Sequence, residues 1–230
     1  MSKWIAILVG IVLLAGAGQS ALAAGGTVSG KVVLKGNAPA AQKLAIDKDT
    51  SVCGTEHQAE ELVVGPGQGI RYAVVRLIGA AGTPDTAKPA AIQQKGCKFA
   101  PHVVVVPKGG SLDIMNDDGI LHNLHSHSTA NREFNKAQPG FLKKVSQKFP
   151  EAEVVKVTCD VHTWMSGWLV VAEEAFVGIT DESGSFKLSG VPPGTYKLEV
   201  WHEKLGKQTK DVTVKDGADA GVSFELAAGS

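Results

Sequence analysis

The chain is built from short runs of alternating β-branched and polar residues, separated by turns rich in glycine and proline. The runs at 27–34 and 154–158 are examples. Alternation with a period of two residues is typical of β-strands, and many short strands joined by turns predict an all-β sandwich or barrel. Residues 81–96 and 125–140 lack this period and are predicted to be loops, with room for one helical turn at 84–94.

The first 24 residues have the layout of a secretory signal peptide. Lys3 precedes an apolar run at 4–17, and a small-x-small motif follows at 21–23. A membrane anchor is the alternative, but the run is shorter than the roughly 20 apolar residues that span a bilayer. We therefore expect residues 1–24 to be cleaved and the mature protein, without a membrane span, to be periplasmic or secreted.

The charge balance argues against a nucleic-acid partner. The 23 basic and 23 acidic side chains cancel, and no dense run of lysine or arginine is present. Proteins that hold nucleic acid on a broad face need an excess of positive charge there. Phosphate-binding glycine motifs are missing from the sequence as well, so we expect partners other than nucleic acids and nucleotides.

Export makes the three cysteines informative. In an oxidising compartment two of them are expected to pair, and the odd one needs an explanation. Cys53 and Cys97 lie in loop-like surroundings, whereas Cys159 ends a strand-like run. The simplest assignment is a Cys53–Cys97 disulfide that leaves Cys159 as a thiolate, and a bound metal would protect that thiolate.

The stretch TCDVHTWMSG at 158–167 brings together three potential metal ligands. Cys159, His162 and Met165 follow one another at three-residue steps, which suits either a helix face or a tight loop. Strand-like runs on both sides favour the loop, so these side chains should converge on one point. Thiolate, imidazole and thioether donors select copper or zinc over magnesium or calcium.

A fourth ligand is expected from residues 116–128, where His122 follows a predicted strand and turn. Two imidazoles, one thiolate and a weak axial thioether form the ligand set of a blue-copper electron-transfer site. His125 and His127 are interpreted as part of an exposed polar loop, with an accessory copper or zinc site as the alternative. His102 enters a strand and is expected to be a buried, hydrogen-bonded residue.

These motifs make residues 97–172 resemble the cupredoxins, the plastocyanin, azurin and amicyanin-like blue copper proteins. The Cys-x-x-His-x-x-Met spacing is most similar to the short ligand loop of amicyanin. The resemblance implies a Greek-key β-sandwich or barrel with one type 1 copper. The implied ligands are His122, Cys159, His162 and the axial Met165, with Asn123 supporting the ligand loops.

Two features of the ligand loop depart from this pattern or allow another interpretation. Asp160, Val161 and Thr163 stand where relatives often have proline, which predicts a less rigid loop. Met165 has an alternative interpretation as a residue that packs in the hydrophobic core beside tryptophans and does not bind the metal. Trp164 and Trp168 are expected either to form an apolar rim for a partner or to pack between two modules.

The C-terminal part resembles a different family, the carboxypeptidase regulatory-like (transthyretin-like) β-sandwich, a module without catalytic activity. The resemblance rests on TDESGSFKLSGVPPGTYKLEV at 180–200, and residues 26–36 are similar to the opening strand of that family. We expect a copper domain at 97–172 and a second sandwich at 173–230. The β-rich segment 25–96 can belong to either sandwich, so the copper domain either precedes the second sandwich or is inserted in it.

The leading functional hypothesis is an exported blue-copper protein that carries electrons between protein redox partners. Copper enzymes that use this fold need further copper sites, and the sequence offers one obvious site, so we expect no enzymatic activity. The alternatives are a periplasmic copper-handling protein without a redox role and a metal-free structural or interaction module.

Overall fold

The computed structural model describes residues 25–227 and is almost entirely β-structure, which confirms the predicted class. The signal-peptide prediction falls outside these residues. Within residues 25–227 no helix is long and apolar enough to cross a membrane. The strands are β1 (Gly26–Leu34), β2 (Lys43–Ala45), β3 (Glu56–Gln58), β4 (Val74–Ile78), β5 (Ala90–Gln94), β6 (Phe99–Ala100), β7 (Val103–Pro107), β8 (Ser111–Asn116), β9 (His122–His127), β10 (Asn135–Gln138), β11 (Lys144–Lys148), β12 (Glu153–Thr158), β13 (Ser166–Ala172), β14 (Val177–Ile179), β15 (Ser185–Val191), β16 (Gly194–His202), β17 (Gly206–Val214), β18 (Asp219–Gly221) and β19 (Phe224–Leu226); α1 spans Thr50–Cys53, and a 3₁₀ turn spans Pro66–Gln68.

Strands β5 to β13 form one body, here called the central sandwich. A five-stranded sheet in the order β10-β9-β12-β13-β7 faces a four-stranded sheet in the order β11-β8-β5-β6. The core between them contains Ile92, Leu112, Leu124 and Val157, all with 0% exposure. Alternation of buried with more exposed residues in strands such as β8 helps to explain why these segments fold as a sandwich.

Strands from both sides of the central sandwich form a second body, here called the split sandwich. Strand β1 pairs with β15, β18 and β19, while β4 lies between β14 and β16. The central sandwich is thus inserted between β4 and β14. The two bodies meet at a small apolar cluster that includes Val74, Val103 and Val170, with Trp168 and Trp201 packed against it.

Two predicted loops contain strands. In residues 81–96, β5 pairs in parallel with β8, and the predicted helical turn is wrong; the central sandwich therefore includes residues upstream of position 97. Residues 125–140 contain the end of β9 and all of β10, and β10 pairs with the first four residues of β9. The hydrophobic period is hidden in both because glutamine, serine and histidine occupy buried or half-buried strand positions there, so pairing and packing decide the structure.

Candidate metal centre

The segment between β12 and β13 is the tight loop that the flanking strands predicted. Thr158 and Ser166 are paired at its base. The backbone N–H of Cys159 donates to the carbonyl of Met165 at 3.1 Å, and the N–H of Met165 donates to the carbonyl of His162 at 2.9 Å. These bonds turn the chain back on itself, so the loop holds its side chains in fixed positions.

His122, Cys159 and His162 lie together under this loop. Their potential ligand atoms are all within 4.8 Å of one another, and each residue is at most 2% exposed. The two histidine Nδ1 atoms are 3.0 Å apart, and Cys159 Sγ is 3.9 Å from His162 Nδ1. His122 reaches the site because it begins β9, the strand next to β12.

The protons on the two imidazoles can be assigned from their outer partners. His122 Nε2 is 2.9 Å from an Asp118 carboxylate oxygen, and His162 Nε2 is 2.9 Å from an Asp49 carboxylate oxygen. An ionised carboxylate only accepts hydrogen bonds, so each Nε2 carries a proton, and in the neutral form of either ring Nδ1 is the bare nitrogen. Two bare acceptors 3.0 Å apart repel each other unless a cation lies between them.

The surroundings of His122 favour the neutral form of its imidazole. Burial lowers the pKa of His122 below its usual value, the hydrogen bond to Asp118 opposes this, and a positive charge on His162 would lower the pKa further. A depressed pKa keeps the ring neutral, and the neutral imidazole is the form that binds metal ions. The donor set and spacing fit a metal: two nitrogens bound to one tetrahedral ion at about 2.0–2.1 Å lie about 3.3 Å apart.

Asn123 holds the ligand loop against β9. It is 4% exposed, and its Oδ1 accepts from Cys159 Sγ at 3.2 Å and from the backbone N–H groups of Asp160 at 2.8 Å and Val161 at 3.3 Å. Its Nδ2 donates to Asn135 Oδ1 at 2.7 Å. The side chain therefore ties the cysteine to the strand that delivers His122.

Met165 is the last residue of the loop and is buried, with 1% exposure. It packs in the core of the central sandwich and lines a cavity of about 240 Å³ together with Thr163 and Trp164. Its backbone closes the ligand loop through the two hydrogen bonds described above. Its burial fits core packing, and the axial role stays a prediction.

The disulfide between Cys53 and Cys97 is present, and Cys159 is the free cysteine of the described chain. The disulfide links α1 to the turn before β6, and Asp49, the residue before α1, contacts His162. The carbonyl of Cys97 accepts a hydrogen bond from Trp164 Nε1 at 3.1 Å. We call residues 43–58, which cover this side of the site, the strap.

The two carboxylates were missed by sequence reasoning. Asp118 accepts from the backbone N–H groups of Gly96 at 2.6 Å and Cys97 at 2.8 Å as well as contacting His122. Its place four residues before His122 was an available signal. Asp49 is 113 positions from its partner His162, so no local sequence pattern predicts that contact.

The remaining predicted residues lie outside this cluster. His102 is 3% exposed and bonded to Glu203, as expected for a buried structural histidine. Trp168 donates to Glu203 at 2.8 Å and contacts Trp201 edge-on, with ring centroids 5.4 Å apart, which supports packing between the two bodies. His125 and His127 lie on β9, not in a loop.

Comparison with known proteins gives a family for the C-terminal part. The model of the carboxypeptidase regulatory-like domain matches residues 162–227, which confirms the resemblance predicted there. This span contains β13 to β19, whereas β1 and β4 of the split sandwich lie outside it. No curated protein matches the sequence.

The similar solved structures include three copper proteins. A copper-containing nitrite reductase from Thermus scotoductus is 21% identical with a TM-score of 0.35, over 42% of this chain and 24% of that chain. A purple cupredoxin from Nitrosopumilus maritimus is 22% identical with a TM-score of 0.31, over 36% and 98%. Amicyanin from Paracoccus versutus is 15% identical with a TM-score of 0.34, over 43% and 97%. The chain thus spans about a quarter of the length of the reductase.

Proposed function

We propose that the protein is an exported blue-copper protein that carries electrons between protein redox partners. The observation that supports this most strongly is that Cys159 Sγ and one ring nitrogen each of His122 and His162 all lie within 4.8 Å of one another, with all three residues buried. The other two cysteines form a disulfide, which suits an oxidising compartment such as the periplasm. A thiol that stays unpaired in such a compartment needs protection, and metal coordination provides it.

The donor set decides the kind of metal. One thiolate and two imidazoles are soft to borderline ligands, which favour copper or zinc over magnesium or calcium. Met165 is the proposed weak axial thioether that makes the set specific for copper. Copper held by these residues would supply a one-electron Cu(I)/Cu(II) couple.

The surrounding residues suit a carrier because they hold the ligands still. Asn123 fixes the ligand loop through the backbone N–H groups of Asp160 and Val161, and Asp118 and Asp49 each fix one imidazole through its Nε2–H. Such outer partners set the orientation and basicity of metal-binding histidines. Ligands that cannot move retain their positions when the oxidation state changes, which keeps the barrier to electron exchange small.

Burial favours electron transfer over catalysis on a bound substrate. His122, Cys159 and His162 are each at most 2% exposed, and none of them lines the cavity beside Met165. Electrons cross a few ångströms of protein, whereas a substrate must touch the metal. We therefore propose that the protein is not an enzyme.

The test is a titration of the disulfide-intact, full mature chain with Cu(II). The proposal predicts an intense visible thiolate-to-copper band that saturates at one equivalent. Cys159→Ser should abolish the band, and Met115→Leu, a change in the opposite sheet, should leave it intact. A chain without such a band, or a Cys159→Ser variant that retains it, contradicts the proposal.

Further measurements on the copper-loaded protein separate the functional classes. A reversible one-electron couple without turnover of nitrite or phenols supports the carrier. Catalytic turnover would make the protein an enzyme. Rapid loss of copper to a weak chelator would favour the copper-handling alternative.

A further inference from the structure

A second group of metal-binding side chains lies on the outward face of β9. His125 and His127 are two residues apart on this strand, so their side chains leave the same face, opposite to the buried Leu124 and Ser126. Glu133 reaches them from the connection between β9 and β10. The potential ligand atoms of these three residues all lie within 4.8 Å of one another.

We propose that His125, His127 and Glu133 form a second metal site that binds a borderline divalent cation such as Zn²⁺ or Cu²⁺. Two imidazoles and one carboxylate are a known zinc-binding set that leaves a coordination position open for water. Two nitrogen donors disfavour magnesium and calcium, and the lack of a thiolate or thioether disfavours Cu(I). This site would share no ligand with the buried centre.

The ring nitrogens of His125 each face a carboxylate, so a metal ion bound at Nε2 would replace the proton that lies between that nitrogen and Glu133. His125 Nε2 faces a Glu133 carboxylate oxygen at 3.0 Å, while its Nδ1 faces an Asp160 carboxylate oxygen at 3.1 Å. Metal-binding histidines commonly donate the second ring N–H to a carboxylate, and Asp160 is placed to accept it. His127 Nε2 is 2.8 Å from the Thr158 hydroxyl, which orients the second ring.

Exposure and charge allow an ion to enter from solvent. The His125 side chain is 25% exposed, and those of Glu133 and Asp160 are 58% and 51% exposed. The two carboxylates supply a local negative charge for the cation. Lys156 is the cross-strand partner of His127 and the opposing positive charge, so it should weaken binding.

The test is a Zn²⁺ titration by calorimetry of the full mature chain carrying Cys159→Ser, which removes the buried thiolate. The affinity of the outer site is obtained by comparison with the same chain carrying His125→Gln or Glu133→Gln as well. Each of these added changes should raise the dissociation constant of one bound Zn²⁺ at least tenfold, and Asp160→Asn should raise it about tenfold. Glu151→Gln, an exposed glutamate outside the cluster, is the matched control and should change nothing.

Nuclear magnetic resonance of the histidine rings provides a second readout. Zn²⁺ should shift the ring signals of His125 and His127, and Glu133→Gln, on the exposed connection, should suppress both shifts without unfolding the chain. Equal Zn²⁺ binding by the background chain and its His125→Gln derivative would overturn the proposal. So would ring signals that do not respond to Zn²⁺. Neither result depends on a copper band, so this proposal and the proposed function can fail separately.

Discussion

Replacement of Asn123 by alanine is the sharpest test of how the ligand loop is held. The change removes an acceptor of three hydrogen bonds, from the Cys159 sulfur and from the backbone N–H groups of Asp160 and Val161. A hydrogen bond contributes about 1 kcal/mol net, and a partly buried donor left without a partner costs a similar amount. We therefore expect Asn123→Ala to lower the free energy of unfolding by about 2–3 kcal/mol.

The assay is denaturant unfolding of the metal-free, disulfide-intact protein, followed by a copper titration of the same variant. Asn131→Ala is the matched control: Asn131 is also buried in the central sandwich, and it bonds to Glu151 and Glu153 away from the site. Both variants should lose stability, but only Asn123→Ala should weaken copper binding and alter the visible band. A loss below about 0.5 kcal/mol for Asn123→Ala, or equal effects of both variants on copper, would refute the reasoning.

Three further predictions follow from the structure. Burial alone would raise the pKa of Glu153, but hydrogen bonds from Thr129, Ala130 and Asn131 outweigh it and lower the pKa from 4.5 to about 2. The stability that Glu153 contributes is therefore complete above pH 4.5 and is lost as the pH falls toward 2. After an allowance for solvent screening, the free energy of unfolding of the wild type, measured with denaturant, should fall by about 1–2 kcal/mol more than that of Glu153→Gln between pH 5 and pH 3. Parallel pH profiles of the two proteins would contradict this. Met165→Gln offers a harder oxygen donor that favours Cu(II), so it should lower the reduction potential measured by voltammetry by on the order of 60 mV. The control Met115→Gln should leave the potential unchanged. Equal potentials of Met165→Gln and the wild type would argue that Met165 only packs in the core. Replacement of Cys53 and Cys97 by serine opens a loop closed across 44 positions and should cost about 4 kcal/mol in the chain-entropy estimate, measured by thermal unfolding; an unchanged midpoint would show that the strap is held without the disulfide.

Local chemistry made much of the site predictable. The Cys159 loop is bounded by an alternating run at 154–158 and a continuous apolar run at 168–172, so its position between β12 and β13 follows from the flanking pattern. His122 and Asn123 are adjacent in sequence and act from the same strand end. The Cys53–Cys97 disulfide followed from counting cysteines in a chain that is predicted to be exported.

Contacts between distant segments were not predictable in the same way. Asp49 reaches His162 only because the disulfide and α1 bring the strap over the site. The last three residues of β9, 125–127, were predicted to begin a loop because its outward face carries histidines and its inward face includes a buried serine, which hides the alternation. The sequence also left open which strands complete the split sandwich, since β1 and β4 join partners more than 90 positions away.

The central claim is that one copper ion binds to Cys159 and two histidines, and X-ray absorption of the protein loaded with one equivalent of copper tests it most directly. The account predicts one short copper–sulfur contact and two imidazole nitrogens, with the sulfur signal lost in Cys159→Ser. A copper surrounded by nitrogen and oxygen alone, with the same spectrum in Cys159→Ser, would place the metal outside the buried centre and contradict the account.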